Sequence, residues 1–288
     1  MKELVVISGK GGTGKTSIVG SFTYLSNSKV IIDCDVDAAD LHLLLKPSIK
    51  NQEPFSGGKT ASIIKDKCIQ CGNCINNCRF GAISNDFIID QLGCEGCGVC
   101  YYSCPAGAIS FKESIDAEWY ISETINGPMI HAAMEIGAEN SGKLVTHLRT
   151  EAKKQARDLN KERLLIDGSP GTGCPVIASI TGANFCLIVA EPTVSGIHDL
   201  KRVLELTEKL KVKASVVINK WDINKEMAVE IEKLCHSKNI ELTGKISYDE
   251  TVTKAQIEGK CIIEYNDSKV AEEIKQIWNK LEQHLQEN

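Results

Sequence analysis

An apolar run, Leu4-Val5-Val6-Ile7, leads into Gly9-Lys10-Gly11-Gly12-Thr13-Gly14-Lys15-Thr16. The octet satisfies G-x-x-x-x-G-K-[ST] and confines the chain to a strand, a glycine-rich turn and a helix, in that order. Glycines let backbone N–H groups turn inward around phosphate oxygens, and the helix that follows presents its positive end. Lys15 is expected to reach the β- and γ-phosphates and Thr16 to give its hydroxyl to Mg²⁺. Gly11, Gly12, Thr13, Gly14 and Ser17 complete the expected cradle. A glycine-rich turn that merely permits close packing would not need the whole pattern.

Further apolar runs suit buried parallel strands: Val30 to Ile32, Leu164 to Ile166, Cys186 to Val189 and Ala214 to Ile218. Segments with helical spacing separate them, such as Leu200, Val203, Leu204, Leu206 and Leu210. The alternation predicts an α/β fold, a mainly parallel sheet flanked by helices. Hydrophobic residues make up 42% of the 288 and charged residues 25%, which excludes disorder and supports a packed core. The net charge of -5 argues against a nucleic-acid binder. No run is long enough to span a membrane. Met1-Lys2-Glu3 is too short and too acidic to open a signal peptide, so the expected compartment is the cytoplasm. Near the C-terminus, Val270, Ile274, Ile277, Leu281 and Leu285 share one helical face. The opposite face mixes Glu and Lys, which predicts a docked helix rather than a membrane-surface one.

Cysteine is the outlier. Eight of the 13 lie between Cys68 and Cys104, a density that points to metal rather than disulfides in a chain with no export signal. Cys68, Cys71, Cys74 and Cys78 recur as Cys94, Cys97, Cys100 and Cys104, each shifted by 26 positions. Gly81-Ala82-Ile83-Ser84 likewise recurs as Gly107-Ala108-Ile109-Ser110. Two copies of one small unit predict a pseudo-symmetric module inserted at 61–115 into the α/β domain formed by 1–60 and 116–288. Pro54 to Lys59, with Ser56-Gly57-Gly58, reads as a linker or loop before it. Zinc and a disulfide knot are the alternatives, but zinc sites pair C-x₂-C knuckles across a longer spacer.

With Lys10, the phosphate loop reads KGGTGKT and resembles the deviant Walker A motif of the MinD/ParA/nitrogenase-iron-protein class of P-loop ATPases. The resemblance implies ATP, Mg²⁺ and a nucleotide-dependent homodimer in which Lys10 acts across the interface. Asp33-Cys34-Asp35 ends the second strand, and the resemblance makes Asp35 the carboxylate that orients the attacking water. Asp37 and Asp40 are either its neighbours in the site or charges balancing a helix N-terminus. Asp167-Gly168-Ser169-Pro170-Gly171-Thr172-Gly173 resembles the Walker B and switch II segment, with Asp167 reaching Mg²⁺ through water. Asn219-Lys220-Trp221-Asp222 is similar to a base-recognition segment, naming Asn219 and Asp222. In isolation NKxD suggests guanine; the wider resemblance implies adenine.

C-x₂-C-x₂-C-x₃-C is also the spacing of bacterial ferredoxins, in which the fourth cysteine ligates the other cluster. The resemblance implies Cys68, Cys71, Cys74 and Cys104 on one [4Fe–4S] cluster, and Cys94, Cys97, Cys100 and Cys78 on a second. Cys104 precedes Pro105, as in ferredoxins, whereas Cys78 precedes Arg79. Together the motifs resemble MinD-superfamily ATPases with an inserted ferredoxin domain, a likeness that extends to Asn140-Ser141-Gly142-Lys143-Leu144-Val145. Cys174 follows Asp167 by seven residues, the offset of a bridging-cluster cysteine in the nitrogenase iron protein. A buried apolar cysteine is the reading preferred here, because no second ligand lies between Cys104 and Cys174. Cys235 and Cys261 stand apart from any C-x-x-C.

Three functions follow from these motifs. One is ATP-coupled electron transfer to an unidentified redox partner. The second is an ATP-dependent carrier that delivers clusters or a metal cofactor to an acceptor protein. The third is a redox-sensing regulatory ATPase. Neither nucleic acid nor membrane is an expected partner.

Overall fold

The computed structural model describes residues 1–135, 138 and 142–287. Of the segment Asn140 to Val145, Asn140 and Ser141 lie outside the described residues. The strands are β1 (Lys2–Ser8), β2 (Lys29–Asp33), β3 (Ser48–Phe55), β4 (Lys59–Ile63), β5 (Ile109–Glu113), β6 (Ala117–Thr124), β7 (Gly127–Met134), β8 (Arg163–Pro170), β9 (Phe185–Ala190), β10 (Ala214–Asn219) and β11 (Glu241–Ile246). The helices are α1 (Lys15–Leu25), α2 (Leu41–Leu45), α3 (Asn73–Asn77), α4 (Val99–Ser103), α5 (Lys143–Asp158), α6 (Cys174–Ile180), α7 (Val194–Lys209), α8 (Lys225–Ser237), α9 (Glu250–Ile257), α10 (Ile262–Tyr265) and α11 (Lys269–Glu287). The chain divides into two compact units. One comprises Met1–Gln52, Trp119–Ala133 and Asn140–Asn288; the other comprises Glu53–Glu118 and Met134–Glu139.

The larger unit is built on a sheet of order β11-β10-β9-β1-β8-β2-β7-β6-β3. Its centre is parallel: β1 pairs with β8 and β9, β2 with β8 and β7, and β10 with β9 and β11. Helices cover both faces of these central strands, so every side chain must be apolar or internally satisfied. Val5, Val6, Ile7, Ile31, Ile32 and Ile166 are accordingly buried completely. Each such side chain contributes about 1.5–3 kcal/mol. β6 and β7 are joined by the two residues Ile125 and Asn126 and are neighbours in the sheet, so they form an antiparallel hairpin. On one face Phe22 of α1 packs on Trp278 of α11 with ring centroids 5.1 Å apart. α11 buries Val270, Ile274, Ile277, Leu281 and Leu285 as their spacing predicts.

Connectivity positions the site. From β1 the chain passes through α1 to β2 on one side, whereas β8 is followed through α6 by β9 on the other side of β1. Such a reversal opens a crevice beyond the carboxyl ends of the strands, here at the end of β1.

The smaller unit holds the antiparallel pair β4–β5 and the short helices α3 and α4. The 26-residue sequence repeat reappears as structure. Gly72 (φ 76) and Gly98 (φ 73) take left-handed conformations immediately before α3 and α4, and Cys78 and Cys104 cap the ends. Ala61, Cys74, Ile83, Ile89 and Ile109 form a buried cluster. The stretch read as a linker is ordered: Pro54 and Phe55 end β3, Lys59 opens β4, and the N–H of Gly57 donates to Asp116 Oδ2 at 2.6 Å. The Asp116 carboxylate thus fixes a bend that composition alone reads as slack.

Candidate functional site

The carboxyl ends of β1, β2 and β8 bring Lys15, Asp33, Asp35 and Asp167 together. Register aligns Asp33 of β2 directly with Asp167 of β8. Lys15, the first residue of α1, reaches back so that Nζ lies 2.5 Å from Asp167 Oδ1 and 3.1 Å from Asp35 Oδ2. The lysine is only 5% exposed. Burial works against its charge, but the carboxylates of Asp167, Asp35 and Asp33 together outweigh it and hold its pKa above the ordinary value. Burial, reinforced by neighbouring carboxylates, raises Asp33. Asp35 is raised as well, chiefly by burial and against the pull of Lys15. Thr13 Oγ1, Asp33 Oδ2, Asp35 Oδ1 and Asp167 Oδ2 are buried without a hydrogen-bond partner. Unsatisfied buried oxygens at this density mark a site built for ligands outside the chain.

The loop itself turns through left-handed glycines, Gly12 at φ 78 and Gly14 at φ 87. At Gly14 that φ is strained for any residue with a side chain, and a Cβ would also press on the Asn219 amide. Gly168 is constrained by packing, since a Cβ there would meet Ile7 at 2.6 Å where the pairing of β8 with β1 shifts register. Asn219 donates from Nδ2 to the carbonyl of Thr13 at 2.7 Å, tying β10 to the loop. A cavity of about 740 Å³ opens beside Gly12 and Gly14 and is lined by Ser17, Asn219, Tyr248 and Gln256 among others. Ser17 Oγ accepts from Gln256 Nε2 at 2.7 Å. Asp222 does not line this cavity; its Oδ1 accepts the N–H of Tyr248 at 2.7 Å. Thr16 follows Lys15 on α1, and both Asp37 and Asp40 are exposed.

Lys10 points along its own chain. Its Nζ lies 3.3 Å from Glu191 Oε2, 3.3 Å from Ser195 Oγ and 3.4 Å from Thr193 Oγ1. Sequence reasoning missed Glu191, Ser195, Tyr248 and Gln256. Glu191 was legible only as an acid just past the apolar run of β9.

The eight clustered cysteines surround two further cavities. One, of about 310 Å³, is lined by Cys68, Cys71, Cys74 and Cys104 together with Ile69 and Phe87. The other, of about 370 Å³, is lined by Cys78, Cys94, Cys97 and Cys100 together with Phe80 and Glu95. None of the eight forms a disulfide, and Cys71 and Cys97 are exposed. Among the described residues no group of three or more His, Cys, Asp or Glu converges as it would to hold a metal ion. Cys174 is exposed rather than buried. It opens α6, and its carbonyl lies 2.8 Å from where a Cβ on Gly142 would stand, so backbone packing occupies the space on that side. Cys235 and Cys261 are buried.

Residues 4–262 match the CobQ/CobB/MinD/ParA nucleotide binding domain. The chain belongs to that family. An uncharacterized protein of Methanocaldococcus jannaschii is 38% identical over 98% of this chain and 97% of its own. A second uncharacterized protein of that organism is 29% identical over 93% and 94%. The septum site-determining protein MinD of Pyrococcus horikoshii, solved with Mg-ADP, shares the fold with a TM-score of 0.61 at 15% identity, covering 97% of this chain and 95% of that one. The MinD cell division ATPase of Pyrococcus furiosus does so with a TM-score of 0.60 at 17% identity, covering 98% of each. Among the described residues no helix is long and apolar enough to cross a membrane.

Proposed function

We propose that this chain binds and hydrolyses Mg-ATP as a homodimer and couples its nucleotide state to electron transfer through two [4Fe–4S] clusters. One observation carries the reading: each cysteine cavity gathers three cysteines of one repeat and the fourth of the other. A single ion needs its thiolates at about 2.3 Å from one centre. A cube held at four corners spreads them, which fits sulfurs that line a cavity instead of converging. Ala108 N–H donates to Cys104 Sγ at 3.3 Å, a bond of the kind that tunes a cluster. When bound, the clusters would supply reversible one-electron transfer. The residues 53–118 would hold them, exclude water with Ile63, Ile83, Phe87 and Ile109, and leave the Cys71 and Cys97 edges open to a partner.

At the phosphate site, Thr16 directly and Asp167 through water would hold Mg²⁺, whose charge would neutralise the phosphates. Lys15 would move from its carboxylates to the phosphates, and Asp35 would orient the attacking water. Lys10 would act from the second copy, where a cation in a dry interface lowers the barrier most. That Asp222 stands outside the lining of the cavity beside the loop supports adenine over guanine, because guanine reading by an NKxD segment needs that carboxylate at the base.

The test is anaerobic purification, iron and sulfide analysis, and an EPR-monitored redox titration with Mg-ATP, with Mg-ADP and with neither. About eight irons per chain are expected, with signals of two reducible cubes. A midpoint shift of about 59 mV between nucleotide states corresponds to tenfold coupling. Zinc, or no metal at all, would overturn the cluster reading. Full iron with identical midpoints would remove coupling to potential and favour the carrier.

A further inference from the structure

Resting on the reading of Lys10 given above, we infer that Glu191 is a positioning residue that holds Lys10 on its own chain and thereby sets the threshold at which two copies close over nucleotide. Three observations carry this, all in the larger unit.

First, Lys10 is the more exposed lysine of the phosphate loop, 32% against 5% for Lys15, and its ammonium is turned towards the start of α7. There it meets a complete acceptor set in Glu191, Thr193 and Ser195. A Lys on an exposed loop has no structural need for three acceptors at once, since water would serve it equally.

Second, Glu191 is shared. Its other oxygen lies 2.8 Å from Lys220 Nζ, and the same Nζ reaches the carbonyl of Gly12 at 3.4 Å. One carboxylate at the end of β9 thus joins Lys10 at the start of the phosphate loop to Lys220 after β10, which itself reaches the middle of the loop at Gly12. At 15% side-chain exposure it is screened less than a surface pair. Burial would raise the Glu191 pKa, but Lys220 and Lys10 outweigh it and hold the carboxyl below the usual range.

Third, the hold on Lys10 is weaker than the hold on Lys220. All three Lys10 distances are 3.3 Å or more, against 2.8 Å for Lys220. A competing phosphate oxygen therefore displaces Lys10 first and leaves Lys220 on the carboxylate. A single phosphate-bearing ligand would then free the one lysine that has to reach a second copy. Exchange of one anion for another costs little, so the device adjusts a threshold without blocking the reaction.

The experiment compares wild type, Glu191→Gln, Ser195→Ala, Lys220→Met and Lys10→Ala at saturating Mg-ATP. Sedimentation equilibrium gives dimer dissociation constants, steady-state turnover gives hydrolysis, and a fluorescent ATP analogue gives monomer affinity. Circular dichroism melts establish folding. Glu191→Gln is expected to tighten the dimer about tenfold. Ser195→Ala leaves the Thr193 cap of α7 intact and gives a smaller change of the same sign; it carries the test if Glu191→Gln does not fold. Lys220→Met leaves Glu191 to Lys10 alone and changes dimerisation in the opposite direction. An unchanged or weakened dimer in both folded Glu191→Gln and Ser195→Ala overturns the inference. If Lys10→Ala dimerises and hydrolyses as wild type does, the trans reading of Lys10 fails instead. Loss of both activities in Lys10→Ala with no gain in Glu191→Gln leaves that reading standing and removes only the latch.

Discussion

The two units are held together by different means. The larger one buries whole strands and packs Phe22, Trp278, Leu165 and Leu187 into a continuous apolar cluster, and its charged site sits on top of that rigid base. In the smaller one the cluster consists of Ala61, Cys74, Ile83, Ile89 and Ile109, with four more cysteines at its edge. Its helices are five residues long, below the length at which a helix is stable by itself. A module of this size usually needs metal or disulfides, and its cysteines form no disulfide. In the larger unit, then, apolar burial makes the fold and the site is an addition. In the smaller unit the cysteines that line the two cavities are themselves packed into or against the core.

Removing the iron proposed for the cysteine cavities is the harshest way to break this contrast. Chelation under reducing conditions is expected to abolish hydrogen-exchange protection across 59–113 while β1, β8 and β9 stay protected, because metal binding is folding free energy in such modules. Equal loss in both units would refute the division. At the other site, Lys15→Ala is expected to abolish ATP hydrolysis in a steady-state assay while iron content stays at the wild-type level. Its melt should be recorded too, since breaking a buried pair costs about 3–5 kcal/mol. Wild-type turnover would remove Lys15 from the phosphate site. Cys68→Ala is expected to halve iron content and spare one EPR signal; full iron would refute the crossed assignment. Leu165→Ala, fully within the apolar cluster, should cost the larger unit about 2–5 kcal/mol in denaturant unfolding. Iron content should not change with it.

The smallest effect concerns His131, which is stacked on Tyr120 and bonded to Ser122 at 2.8 Å. Burial, with a lesser push from His42, lowers its pKa from 6.5 to about 4. Between those values the unfolded chain binds a proton that the folded chain does not, so stability falls as pH drops from 6.5 towards 4. His131→Gln should flatten that slope in pH-dependent melts. An unchanged slope would assign it to other groups.

Much of this was legible in the residues. β1, β2, β8, β9 and β10 carry the continuous apolar runs of strands buried on both faces, and the octet after β1 dictated its turn. β11 was not read because it is an edge strand whose middle residues, Thr243 and Gly244, interrupt the apolar pattern; Gly244 is required where Ile277 packs against it at 2.6 Å from a would-be Cβ. The β6–β7 hairpin escaped notice because its buried face includes Ser122 and His131, polar residues that satisfy each other. At the site, the carboxylates could be named from motifs, but the partners of Lys10 could not. Contacts such as that between Lys10 and Glu191 join residues far apart in the chain and depend on how β9 lies beside β1, which no local pattern states.

The strand order also has a consequence in time. β8 lies between β1 and β2 in the sheet, yet the chain completes β1 and β2 long before it reaches Arg163. During synthesis the first strands must therefore wait, unpaired at the centre, while the cysteine segment emerges. Within that segment Cys68, Cys71 and Cys74 wait in turn for Cys104 to close their cavity. The cysteine unit is thus able to finish before the sheet that brackets it in the chain, and the nucleotide site, which needs Asp167, is the later of the two to exist.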